Sequence, residues 1–139
     1  MKALIDTNVI LDALLARDPW AATAQELLRA AAMDKFKSGI IASQTTDIFY
    51  VLCRQGAGEA AAKNILKKLT DSVKVSDVTP ADVQSALASD MLDYEDGLLA
   101  YAGKRHKAEY IITRNEKDFG QSPVPAISPE VFLEKLYSL

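Results

Sequence analysis

The feature that most constrains this chain is a repeated alternation of short apolar runs with amphipathic helical stretches, several of the runs ending on a polar residue. Lys2-Ala-Leu-Ile-Asp6 is the first run, and Val9, Ile10, Leu11, Leu14 and Leu15 follow at helical spacing, so the opening reads as strand, turn, helix. Ala24, Leu27, Leu28, Ala31 and Ala32 predict a second helix from Pro19 to about Phe36, with the proline in its first turn, where a missing N–H does no harm. Gly39 to Ala42 predicts a buried strand, and Ser43 stands as the cap of a third helix that starts close to Asp47. Further helices are expected over about Ala57 to Leu69, Pro80 to Ser89, Tyr94 to Lys107 and from Pro129 onward. Strands are expected at Val73 to Val78, Glu109 to Thr113 and Val124 to Ile127. Strands alternating with helices specify an α/β domain around a mainly parallel sheet with both faces covered.

The 139 residues match the usual size of one domain, and no repeat, low-complexity tract or linker divides them. Residues 1–139 are therefore read as a single domain. No apolar run is long enough to cross a bilayer and no secretory leader is visible, so a cytoplasmic protein with no membrane partner is expected. The lone Cys53 lies in an apolar helical pattern and reads as a packed thiol. A net charge of −3 argues against holding nucleic acid by bulk positive charge, so any such contact has to be local or metal-mediated.

In open parallel sheets, ligands bind beyond the C-terminal strand ends. Asp6 ends the first strand, Ser43 and Asp47 follow the second, and Thr113, Asn115 and Asp118 follow a later one, so sheet geometry gathers them. Asp93 and Asp96 fall three apart at the start of a helix and join the set. First-turn acids are also common without any function, since the helix dipole favours them. Carboxylates brought together repel one another and raise each other's pKa unless a cation lies among them. Hard oxygen donors without a cysteine or histidine cluster suit Mg²⁺ or Mn²⁺, and such a site performs phosphodiester chemistry.

Three segments carry a resemblance: Ile5 to Asp12 (IDTNVILD), Asp93 to Ala100 (DYEDGLLA) and Ile112 to Phe119 (ITRNEKDF). In order and spacing they resemble the signatures of PIN domains across nearly the whole chain. The resemblance implies a three-layer α/β/α sandwich, Mg²⁺- or Mn²⁺-dependent endoribonuclease activity on RNA, a homodimer and, as in VapC-like toxins, a small antitoxin partner. It makes Asp6, Asp96 and Asp118 metal ligands and adds Asp47 to the catalytic acids, at a position where the family usually has glutamate. Thr7 and Asn8 shape the turn, Thr113 holds the site through its hydroxyl, and Asn115 stands beside Asp118 at the family's variable fourth position. Because Asp47 has a shorter arm and Asn115 carries no charge, a PIN-like module that binds RNA or protein without cutting is the alternative. A dehalogenase-type phosphatase needs a second aspartate where Asn8 stands, and a receiver domain needs an acidic pair after the first strand and a phosphorylatable aspartate after the third, a context that Asp77 lacks.

The basic run Lys104 to Lys107 reads as a solvated helix end or a phosphate-contacting patch. Trp20, Phe36, Phe49 and Tyr50 read as core or dimer surface rather than as platforms for bases.

Overall fold

A computed structural model describes residues 1–139. Five parallel strands, β1 (Lys2–Ile5), β2 (Lys37–Ile41), β3 (Lys74–Ser76), β4 (Tyr110–Ile112) and β5 (Ala126–Ile127), form one sheet in the order β3-β2-β1-β4-β5. The helices are α1 (Thr7–Leu14), α2 (Ala21–Ala32), α3 (Ala42–Arg54), α4 (Glu59–Ser72), α5 (Pro80–Ala88), α6 (Tyr94–Arg105) and α7 (Pro129–Tyr137), with a 3-10 turn at Glu116–Phe119.

Alternation along the strands divides the core into two layers. Ala3, Ile5, Ile40 and Ile112 face one side and pack against α1, α2, α3, α4 and α7. Leu4, Ile41 and Ile111 face the other side and pack beneath α5 and α6. The result is the expected α/β/α sandwich. At Gly39 a Cβ would come within 2.8 Å of Leu4 Cδ2, so any larger residue there requires the buried leucine to shift.

The chain winds outward from β1 to β2 and β3, then returns beneath α5 and α6 to place β4 on the other side of β1. The connections therefore part at the C-terminal ends of β1 and β4. Asp6 and Thr113 are the first residues beyond those ends.

Several boundaries differ from expectation. Helix α2 begins at Ala21 after a cis Asp18–Pro19 bond, so the proline precedes the helix rather than entering its first turn. It ends at Ala32 because Asp34 adopts a left-handed conformation (φ 54°), with the Lys35 N–H donating to Ala30 O and the Asp34 N–H to Ala31 O. Helix α3 starts at Ala42, directly after β2, so Ser43 is an exposed first-turn residue and not a cap, and Asp47 lies inside the helix. Capping there comes from Gln44, whose Oε1 accepts the Ile41 N–H at 2.7 Å. Asp93 is the N-cap of α6, not a helical residue, and its Oδ1 accepts the Asp96 N–H at 3.0 Å.

Candidate functional site

The topological break between β1 and β4 opens into a cleft of about 600 Å³. Asp6, Asp47, Asp93, Glu95, Asp96 and Asp118 all line it. Thr7, Asn8, Ser43 and Asn115 line it as well, so nine of the ten residues singled out from the sequence face one space. The tenth, Thr113, lies fully buried behind Asp6 and donates its hydroxyl to Asp6 Oδ2 at 2.8 Å.

Each residue is positioned by its element. The Asp6 N–H donates to Ile112 O at 2.9 Å, extending the β1–β4 ladder by one rung before the chain turns into α1. Asp6 occupies the cap position of α1 without the usual side-chain cap bond, and its carboxylate turns to Thr113. The Thr113 hydroxyl also accepts the Asn115 N–H at 3.1 Å, which fixes the loop that brings Asn115 and Asp118 over the cleft. On the opposite wall, Gln44 donates through Nε2 to Ile5 O at 2.8 Å and to Thr7 Oγ1 at 3.1 Å. One buried amide thus locks the start of α3 to the exit of β1, which sets the wall that carries Ser43 and Asp47.

Crowding of acids dominates the electrostatics. Burial is the main cause that raises the Asp6 pKa above the usual carboxylate range, against the hydrogen bonds from Thr113 and the Thr7 backbone and the charge of Arg114. Asp96 is pushed up to about 7, first by burial and then by the charges of Asp6, Asp93, Asp118 and Glu95. Its place in the first turn of α6 favours the anion, so desolvation and repulsion outweigh the helix dipole there. Glu95 is raised as well, by burial and by Asp47, Asp93 and Asp6. The carboxylates feel one another without closing up: no three of them are grouped tightly enough to clasp an ion unaided.

A family model described as the PIN domain matches residues 2–117 of the sequence. The chain belongs to the PIN-domain family. No curated protein sequence matches it. Among solved structures, this PIN domain is similar to a toxin–antitoxin complex from Klebsiella pneumoniae, with 19% identity, 92% of this chain and 98% of that chain covered, and a TM-score of 0.70. It is also similar to PAE2754 from Pyrobaculum aerophilum, with 21% identity, 100% and 97% of the two chains covered, and a TM-score of 0.69. A third similar structure is VapC20 from Mycobacterium tuberculosis, a toxin that cleaves the sarcin–ricin loop, with 16% identity, 89% and 99% covered, and a TM-score of 0.67. At these identities the likeness is one of fold.

Several residues of this PIN domain escaped the sequence reading. Gln44 gave no signal, because the cap position before it is Ile41, which lacks the hydroxyl of a capping box. Asp12 is 1% exposed and accepts from Arg114 Nε at 2.8 Å, with Arg17 at 3.7 Å, although it sits in an otherwise ordinary amphipathic helix. Arg114 in turn lies over the Trp20 ring at 3.9 Å, so the residue between Thr113 and Asn115 is clamped on both sides. Tyr50 (61% exposed) is not core, and with Tyr94 it lines the acidic cleft. Phe36, by contrast, is core.

In the basic run at the end of α6, Lys104 and Lys107 are exposed, while Arg105 and His106 turn to acids of the chain itself. Arg105 is bidentate on Asp82 and also reaches Asp77 Oδ1, holding both carboxyls below their usual range, and His106 meets Asp77 at 2.9 Å.

Proposed function

We propose that this PIN domain is a divalent-cation-dependent endoribonuclease that hydrolyses RNA phosphodiester bonds as the toxin of a toxin–antitoxin pair. The observation that carries this reading is the convergence of six carboxylates on one cleft at the sheet's switch point, with the Asp96 pKa pushed up to about 7 by burial and by its acidic neighbours. Oxygen-only donors fit Mg²⁺ or Mn²⁺, and Mg²⁺ binds through one or two carboxylates while waters and substrate phosphates complete its shell. That habit suits acids that line a cleft without clasping. In this reading one or two of Asp6, Asp96 and Asp118 would hold the cation at a time, with Asp47, on the far wall, as the fourth acid of the set. When bound, the ion activates the attacking water and neutralises the scissile phosphate. Thr113 orients Asp6, Asp93 fixes Asp96 by capping its helix, and Thr7, Asn8, Ser43 and Asn115 bound the space in which the phosphate is held.

Cation binding displaces the proton that Asp96 carries at neutral pH, so affinity rises as pH rises. With a pKa of about 7, the ionised fraction grows about tenfold between pH 6 and pH 8, and calorimetric titration with Mn²⁺ is expected to show about that gain. The stability relation runs the same way. A carboxyl whose folded pKa is raised favours the cation-free fold below about pH 4 and withdraws that support as pH passes about 7, so the cation raises Tm more at pH 8 than at pH 6.

An antitoxin partner is supported by the Klebsiella pneumoniae neighbour, a toxin–antitoxin complex, and RNA by the loop-cleaving VapC20. A homodimer in the cytoplasm completes the proposal. In the test, purified protein is incubated with single-stranded RNA and Mg²⁺ or Mn²⁺. Cleavage that EDTA abolishes is the expected result. The looser grouping of the acids, the short arm of Asp47 and the uncharged Asn115 favour a second reading, a module that binds without cutting. A titration without cation binding, together with intact RNA, overturns the nuclease in its favour.

A further inference from the structure

At the opposite end of the sheet lies an open groove of about 940 Å³, lined by the starts of β1, β2 and β3, the α2–β2 connection and the end of α4. Lys2, Lys35, Lys37 and Lys74 line it against only two acids, Asp34 and Asp71. Lys2 and Lys37 are direct cross-strand partners, and Lys74 pairs with Gly39, two residues beyond Lys37. The two-residue period puts Lys2, Lys37 and Lys74 on one face of the sheet, with successive backbone positions roughly 5 and 8 Å apart.

Like charges directly opposite each other across strands are destabilising. No salt bridge takes up these lysines, because the ion pairs of the protein all involve Arg17, Arg105, His106 or Arg114. Of the apolar residues of the groove, Ala3, Leu4, Phe36 and Val73 are buried, and only Met1 is half-buried. A protein partner draws its affinity from apolar and aromatic anchors, and a single half-buried methionine is all that the groove offers. A nucleic-acid strand draws it from phosphates meeting cations.

We infer that this groove is a second RNA contact, in which Lys2, Lys35, Lys37 and Lys74 bind the phosphodiester backbone of a single strand. The four strand steps from Lys2 to Asp6 put the groove about 13 Å along β1 from the carboxylates. An anchor at that distance holds a polyanion on a chain whose net charge of −3 and acidic cleft both repel it. The identity of the strand rests on the nuclease reading, so the test is read without cleavage.

Binding of a labelled 20-nucleotide oligouridylate is measured by fluorescence anisotropy in EDTA, from 50 to 200 mM KCl, with Lys2→Gln/Lys37→Gln/Lys74→Gln beside the unaltered chain. Loss of three phosphate contacts is expected to weaken binding by on the order of tenfold and to lower the slope of log K against log salt by about 2. The control Lys63→Gln/Lys104→Gln/Lys135→Gln removes the same charge from exposed positions outside the groove and is expected to leave the slope nearly unchanged. Circular dichroism checks that both variants fold. Unchanged affinity and slope in the groove variant overturn the proposal, as does an equal loss in the control. Equally strong binding of polyglutamate overturns it in favour of an acidic protein segment. RNA binding that depends on the groove while no cation supports cleavage upholds this site and refutes the nuclease instead.

Discussion

Asp6→Asn is expected to lower RNA cleavage by on the order of 10³-fold, about 4 kcal/mol of transition-state stabilisation, while leaving the cation-free protein at least as stable as before. Both halves follow from the surroundings of one carboxylate. Asp6 is 8% exposed, and burial raises its pKa despite the Thr113 hydroxyl and the Thr7 amide. Asparagine keeps an oxygen to accept the 2.8 Å bond from Thr113 but removes the buried charge and with it a donor proposed for the cation. For a group raised from 3.8, folded-state support is full below that pH and is lost as pH climbs through the folded value. The Tm of the variant therefore matches the unaltered chain near pH 4 and exceeds it at pH 8, in EDTA. A cleavage assay and a thermal melt at the two pH values check both halves. Retention of a tenth or more of the activity removes Asp6 from the chemistry, and a lower Tm at pH 8 removes the stated cause of its raised pKa.

Arg114→Met is expected to cost about 3 kcal/mol of stability, or about 10 °C in Tm for a domain of this size. The methionine fills similar space over Trp20 but leaves Asp12, 1% exposed, with only Arg17 at 3.7 Å. Removing one partner strands the other charge in the core, which is far costlier than the pair's net contribution. Asp12→Asn in the same background is expected to return most of the loss, since no anion is then left buried. Chemical denaturation of the two single variants and the double closes the cycle. Additive losses show that the pair is not coupled and sink the clamp. Cleavage is also expected to fall in Arg114→Met, because Arg114 separates Thr113 from Asn115 and its charge helps to keep Asp6 ionised.

The lysine groove bears on both results. A nuclease with an acidic cleft depends on its cation for local attraction to phosphate, and the groove supplies a contact that is independent of that cation. Salt dependence therefore separates the two, since counterion release reports the lysines and EDTA reports the carboxylates.

The order of elements, the parallel sheet and the family all stood in the linear chain. Strand runs such as Ala3 to Ile5 and Ile111 to Ile112 are apolar on both faces, because helices cover both, and that pattern is local. The acids at strand ends were legible for the same reason, since Asp6 and Thr113 follow their strands directly and topology brings strand ends together. Boundaries fared worse. The Ser43 hydroxyl resembled a cap, yet a buried Gln44 claimed the Ile41 N–H through contacts with β1, 39 residues away in sequence. Helix α2 stopped short of Phe36 because Asp34 took the left-handed turn that glycine usually signals.

What the sequence by itself determined is the α/β order and the set of residues from which the site is made. Only the tertiary structure decided how those residues are charged and held. A carboxylate's pKa depends on what buries it and which anions stand nearby, so the value of about 7 at Asp96 exists only once β1, α3, α6 and the turn after β4 have met. The same holds at the other end of β1, where lysines far apart in sequence become one groove when strand register sets them side by side. Spacing along the chain fixes which residues share a face, while charge and burial are properties of neighbours that the chain brings from elsewhere.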